Sequence, residues 1–180
     1  MPSTDQYSID IRRLRTEHAD TFLALVDALA DFEKLPRPEP EARERLLRDA
    51  LGDSPRIEAF LAWIGDDAVG YAITFQSYSS FLALPTQYLE DVFVLPAYRK
   101  RGVGFKLFLH VAQLAHERGC GRMEWAVLDW NTPALEFYER LGARQLKEWQ
   151  LFRLTSSELA PLADMYSMTM HSSTNNEDVP

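Results

Sequence analysis

The stretch of this sequence best suited to chemistry is a glycine-bearing turn between a strand and a helix. Arg99-Lys100-Arg101-Gly102-Val103-Gly104 follows the apolar run Asp91-Val92-Phe93-Val94-Leu95 and opens a segment of helical periodicity over residues 105–116. A strand that turns into a helix leaves backbone N–H groups without intrahelical partners at the helix's positive end, which suits a phosphate or pyrophosphate. Glycine lets such an anion approach without a Cβ in the way. Strand–helix turns also carry glycine for geometry alone. Here, though, Arg99, Lys100 and Arg101 crowd a helix start, where acidic side chains are normally favoured. That charge is out of place unless an anion sits there too. Competing phosphate loops do not fit: there is no Gly-Lys-Ser/Thr and no third glycine of a dinucleotide fingerprint.

Bulk properties limit the partners. A chain of 180 residues with 46% apolar content suits one domain, or one domain with a tail, around a real core. A net charge of −8 argues against bulk binding of nucleic acid or of an anionic membrane, and is compatible with a small cationic substrate. Cys120 cannot form an internal disulfide, no secretory signal or long apolar span is visible, and the expected location is the cytoplasm. Cys120 reads as a small half-buried filler rather than a nucleophile, because no His or Asn pairing is visible near it. The four histidines lack metal-ligand spacing, so no metal is expected.

The elements that must position the turn alternate. Residues 8–14 alternate as a half-buried strand, and Thr16 is placed to cap a helix running to about Glu33. The proline-rich segment 35–40 is a stiff loop, followed by a helix over 41–51. Strands are expected over 57–64 and 69–78, joined by a hairpin turn at Gly65-Asp66-Asp67, and over 87–95 before Pro96. A helix over 102–118 closes at Gly119, and 123–128 reads as a buried strand. Asn131-Thr132-Pro133 starts a helix that stops at Gly142, with Asn131 as its capping side chain. Residues 143–154 read as a last strand, and a short helix follows Ser156. Residues 1–165 form the expected domain and 166–180 a polar, disordered tail. The order β-α-α-β-β-β-α-β-α-β fits an α/β fold with a mixed central sheet and helices on both faces.

Arg99-x-x-Gly102-x-Gly104 between a strand and a helix resembles the acetyl-CoA motif of the GNAT N-acetyltransferases, and the element order resembles that fold over about residues 8–155. The chain is most similar to the diamine (spermidine/spermine) N-acetyltransferase group. The supporting segments are Ala28-Leu29-Ala30-Asp31-Phe32-Glu33, Tyr88-Leu89-Glu90-Asp91-Val92-Phe93-Val94, Trp130-Asn131-x-Pro133-x-x-x-Phe137-Tyr138-x-x-x-Gly142-Ala143 and Trp149-x-Leu151-Phe152-Arg153-Leu154.

The resemblance implies attack of a primary amine on the thioester of acetyl-CoA, without a metal. An alkylamine with a pKa of about 10.4 is almost wholly protonated at neutral pH, so the enzyme must bind a cation and then deprotonate it. Glu90 matches the family's general base; taken alone it reads equally as a solvated strand carboxylate. Asp91 is placed on the opposite sheet face by alternation, unless a bulge re-aims it. Tyr138 matches the family's general acid for the departing thiolate; alone, it and Phe137 read as core aromatics. The carbonyl oxygen's hydrogen-bond donor is expected near Phe93 or Val94, freed by a bulge. The N–H groups of Arg101, Gly102, Val103, Gly104 and Phe105, assisted by the Arg99 and Arg101 side chains, would take the pyrophosphate, and Asn131 the pantetheine or simply the helix cap. Glu33 matches an acidic substrate residue, and with Glu90 suits a substrate with two cationic ends. Phe75, Tyr78 and Phe81 read as a cleft wall or as core. The partners implied are a small polyamine or diamine, with thialysine, another amino acid or a protein amine as alternatives, and a second copy of the chain in a homodimer. A non-catalytic acyl-CoA-binding module remains a further alternative.

Overall fold

The computed structural model describes residues 8–173. The chain divides into two compact units, Met1–Leu128 and Asp129–Pro180. The first unit is built on a five-stranded sheet in the order β1 (Ile9–Arg13), β2 (Glu58–Ile64), β3 (Asp67–Ser79), β4 (Leu84–Val94), β5 (Arg122–Trp125). Neighbours from β1 to β4 are antiparallel, and β5 runs parallel to β4. Parallel pairing needs a crossover, supplied by α3 (Val103–Glu117).

The expected mixed sheet with helices on both faces is the one observed. Phe22 and Leu25 of α1 (Ala19–Glu33) and Ala50 of α2 (Pro40–Leu51) share a core with Ala59, Leu61, Trp63, Tyr71, Ile73 and Phe93. The residues between these along the strands point the other way, toward α3: the Phe60 ring lies 4.5 Å from that of His110, and Phe108 meets Trp125 edge-on at 5.1 Å. The far end of α3 is anchored by Arg118, whose Nη1 and Nη2 donate to the Glu58 carboxylate at 2.5 and 3.0 Å, while Arg13 approaches the same group at 3.2 Å.

One glycine lets β4 lie close against β3. A Cβ on Gly70 of β3 would come within 2.6 Å of the Phe93 carbonyl oxygen and 3.4 Å of Leu107 Cδ1. Gly70→Ala is therefore expected to destabilise the fold by ~2 kcal/mol, lowering Tm by roughly 4–8 °C in a thermal melt; an unchanged Tm would remove this packing argument.

Several expectations need correction. Thr16 lies in a single 3-10 turn, Thr16–His18, and α1 starts only at Ala19 with His18 as N-cap and no side-chain capping bond. The tighter turn comes first, so the threonine sits too early to reach the helix's open N–H groups. Residues 35–39 do form a loop ending at Pro40, the first residue of α2. It is tethered to α1: Arg37 donates to both oxygens of Asp31 at 2.9 and 2.6 Å, and Arg43 donates to Asp27 at 2.5 Å and to the Pro38 carbonyl at 2.9 Å.

In the second unit, α4 (Thr132–Arg140) ends at Gly142, whose φ of 83° places it in the left-handed region. Asn131 stands at its N-cap but makes no side-chain capping bond. The strand expected over 143–154 is absent among the described residues; the segment runs as turns and unpaired extended chain. Alternation marks residues able to pair, but a strand also needs a partner, and this segment has none in a sheet ladder among the described residues. α5 (Ser156–Ser173) continues beyond position 166, where the sequence places the tail. The tail's remainder, 174–180, lies outside the described residues.

Candidate active site

The strand bearing the expected base carries an irregularity that decides the site. β3 pairs with β4 at Ile73↔Asp91 and next at Thr74↔Leu89, so Glu90 is an extra, bulged residue. Tyr88 packs on Phe75 at 5.0 Å, and the Tyr71 hydroxyl donates to Asp91 Oδ2 at 3.3 Å. Phe75 and Tyr71 sit two positions either side of Ile73, on the α1 face. Tyr88 and Asp91 therefore share a face although three residues apart, which simple alternation forbids and one extra residue restores. The Glu90 charge raises the pKa of both Tyr88 and Asp91. Glu90 itself, the extra residue, is exposed. The bulge is held from behind by a chain of hydrogen bonds: buried Gln87 donates to Thr74 Oγ1 at 2.7 Å, and the Thr74 hydroxyl donates to the Tyr88 carbonyl at 2.6 Å.

Glu33, in the last turn of α1, joins this group. Its charge reaches both Asp91 and Tyr71. Burial, then the Glu90 charge, push the Asp91 carboxyl up to about 6, against the lowering effect of the Tyr71 hydrogen bond, with Glu33 raising it further. Burial and the neighbouring carboxylates push the Tyr71 phenol well above its ordinary range, so it stays a hydrogen-bond donor. The charges of Glu33 and Glu90 thus both act on Asp91. The adjacent Glu-Asp pair in an apolar strand was the sequence signal for the bulge; nothing in the sequence marked Tyr71, Thr74 or Gln87. Phe75, Tyr78 and Phe81 form no common wall: Phe75 packs on Tyr88, while Tyr78 and Phe81 are 67% and 99% exposed.

Past the bulge, β4 has an open edge, because its ladder with β5 ends at Leu89↔Trp125. The Leu95 N–H donates to Val69 O at 2.9 Å. Alternation then turns the Phe93 and Asp91 N–H groups toward β3, and those of Val94 and Val92 toward the open edge. The expected donor is Val94, not Phe93, whose ring is also buried in the core. The bulge that re-aims the strand lies at Glu90 rather than beside the donor.

The turn at residues 99–104 is a helix start as expected. Gly102 is the N-cap of α3, with φ 84° and no side-chain cap. A Cβ there would meet nothing, so glycine is needed for its conformation. A Cβ on Gly104 would make only ordinary contact with Val94 Cγ2 at 3.6 Å. Packing within the chain does not demand a bare backbone at Gly104, whereas an approaching anion does. The Val103 side chain is buried. Phe105 is exposed, and the Arg101 guanidinium lies over the Tyr98 ring at 5.3 Å. Arg99 departs from expectation: its side chain turns to the α1 face, over Phe32 at 4.3 Å and Phe93 at 5.6 Å.

Residues 22–143 match the Acetyltransferase (GNAT) family. The chain belongs to that family. It is 35% identical over 164 residues to a thialysine N-epsilon-acetyltransferase of Bos taurus, covering 85% of this chain and 96% of the relative. It is 41% identical over 125 residues to an L-ornithine N5-acetyltransferase of Arabidopsis thaliana, covering 69% of this chain and 49% of that one. Among solved structures, an integron cassette protein from the mobile metagenome of V. cholerae shares the fold with a TM-score of 0.73 at 21% identity, over 87% of this chain and 98% of that one. The chain is therefore a GNAT acyltransferase dependent on acetyl-CoA. The bare helix start at Gly102 and Gly104 and the open N–H edge of β4 fit that co-substrate.

Tyr138 and Asn131 of this acetyltransferase lie in the second unit. The Tyr138 ring meets Phe137 at 5.3 Å, and burial pushes its phenol up to about 12, so it holds its proton at neutral pH. No helix among the described residues is long and apolar enough to cross a membrane.

Proposed function

We propose that this enzyme acetylates the terminal primary amine of a small acceptor carrying a second charged group, and that the ω-amine of a basic amino acid is the favoured acceptor. The carboxylate of Asp91 beside the β4 bulge, within reach of the Glu33 and Glu90 charges, supports the cationic part of this reading. The relatives named for thialysine and ornithine support the amino-acid part. A polyamine, the acceptor suggested by the sequence segments, is the second reading, because separated carboxylates also suit a molecule with two cationic ends.

Acetyl-CoA supplies the activated acetyl group. The N–H groups at the start of α3 bind its pyrophosphate, with the Arg101 side chain assisting. The carboxylates draw in the protonated amine, Glu90 accepts its proton directly or through water, and the uncharged nitrogen can then attack. The Val94 N–H, on the open edge of β4, stabilises the charge that gathers on the carbonyl oxygen. Tyr138 returns a proton to the departing thiolate. With two carboxylates adjacent in β4, one can hold the cation while the other works on its proton.

A thiol-release assay with acetyl-CoA and thialysine, ornithine, spermidine, putrescine and a lysine peptide tests the reading. Turnover at least tenfold higher in kcat/KM with thialysine or ornithine than with the polyamines is expected. The reverse order would favour the polyamine reading, peptide preference would point to a protein amine, and no release with any amine would remove the proposed function.

A further inference from the structure

The Arg99 side chain links the cofactor loop to α1. Its Nε donates to the Val94 carbonyl at 2.9 Å. Its guanidinium stacks over Phe32 of α1 at 4.3 Å and faces Phe93 of β4 at 5.6 Å, and the two rings are themselves 6.3 Å apart. Burial lowers its pKa, though a guanidinium remains charged at any working pH. Reaching toward the start of α3 would break both the stacking and the hydrogen bond. Such contacts of a desolvated guanidinium are strong enough to hold an element in place.

The element held is the one that carries an acceptor carboxylate. Phe32 immediately precedes Glu33, in the last turn of α1, where Lys34 ends the helix with φ 59°. The Val94 carbonyl that Arg99 binds belongs to the residue whose N–H faces the open edge of β4. One side chain thus fixes the turn bearing Glu33 and the strand segment bearing the carbonyl-oxygen donor, and it is rooted in the loop that binds the pyrophosphate.

We propose that Arg99 is a positioning residue for the acceptor side of the reaction, not a pyrophosphate ligand, and that it acts by laying its planar guanidinium over Phe32 and Phe93. The kinetic part of this proposal rests on the acceptor reading above. The structural part does not.

The test compares Arg99→Met, Arg99→Lys, Phe32→Leu and the Arg99→Met/Phe32→Leu double variant. CoA affinity is measured by calorimetry, acceptor KM and kcat by thiol release, and backbone protection by hydrogen exchange. Arg99→Met is expected to raise acceptor KM about tenfold while leaving the CoA Kd within about threefold. Arg99→Lys, which keeps the charge but not the planar fork, should resemble Arg99→Met. Phe32→Leu should shift KM in the same direction, and the double variant should be no worse than Arg99→Met, because both disrupt one contact. Amides over residues 30–34 should exchange faster in Arg99→Met than in the unsubstituted protein.

A tenfold loss of CoA affinity in Arg99→Met that Arg99→Lys restores would make Arg99 a phosphate ligand and overturn the proposal. Unchanged acceptor KM, additive effects in the double variant, or unchanged exchange over residues 30–34 would each overturn it as well. If the unsubstituted enzyme acetylates no amine, the acceptor reading fails, and the calorimetry and exchange results still decide the role of Arg99.

Discussion

Glu90→Gln is expected to lower kcat by about 10²-fold or more, the usual scale for losing a positioned general base. Glutamine preserves the size of the side chain but neither accepts the ammonium proton nor attracts the cation, so acceptor KM should rise as well. Asp91, the next residue in the strand, is a potential substitute, which makes the substitution informative about both carboxylates. Its carboxyl titrates at about 6, held up first by burial and then by the Glu90 charge. As pH falls through about 6, Asp91 gains a proton and its attraction for the cationic acceptor disappears, so kcat/KM should decline on that side. In Glu90→Gln one source of the upward shift is gone, and this acid limb should move to lower pH. Thiol release between pH 5 and 8 provides the measurement. An unchanged kcat would transfer the base role to Asp91, and an unmoved acid limb would show that the two carboxylates do not interact.

Tyr138→Phe should also reduce kcat by about 10²-fold while leaving CoA affinity within about threefold. Burial keeps the phenol protonated up to about pH 12, so Tyr138 is available as a proton donor across the working range. Activity should therefore show no loss from its ionisation as pH rises through 9. Phenylalanine preserves the ring and its packing on Phe137, so a large fall in kcat at unchanged thermal stability isolates the hydroxyl. Equal rates for the two proteins would remove Tyr138 from proton transfer and leave it as a core aromatic of α4.

Much of the fold was legible because the signals were local. The prolines up to Pro40 mark the loop before α2, Gly102 and Gly119 bracket α3, Gly142 follows the end of α4, and the apolar runs of β2 and β3 flank a turn at Gly65. Each is a conformational requirement carried by one residue and its neighbours. Boundaries failed where two local options competed, as at Thr16, where a 3-10 turn precedes the helix. Residues 143–154 failed for a different reason: their alternation is real, but pairing depends on an edge elsewhere in the chain. The site divides in the same way. The helix start and the Glu90-Asp91 pair could be read from residue types, whereas the direction of the Arg99 side chain could not, because Phe32 lies 67 positions earlier.

The sequence by itself determined the family, the anion-binding helix start and the candidate base and acid, since each rests on residue type and short spacing. The tertiary structure alone decided that Glu90 is an extra residue in β4, that the Glu33 charge reaches Asp91, that Val94 turns its N–H to the open edge of β4, and that the Arg99 side chain lies over Phe32 of α1. All four depend on strand register or on packing between distant segments. A shift of one residue in register reverses which face a side chain occupies, and no local pattern records it.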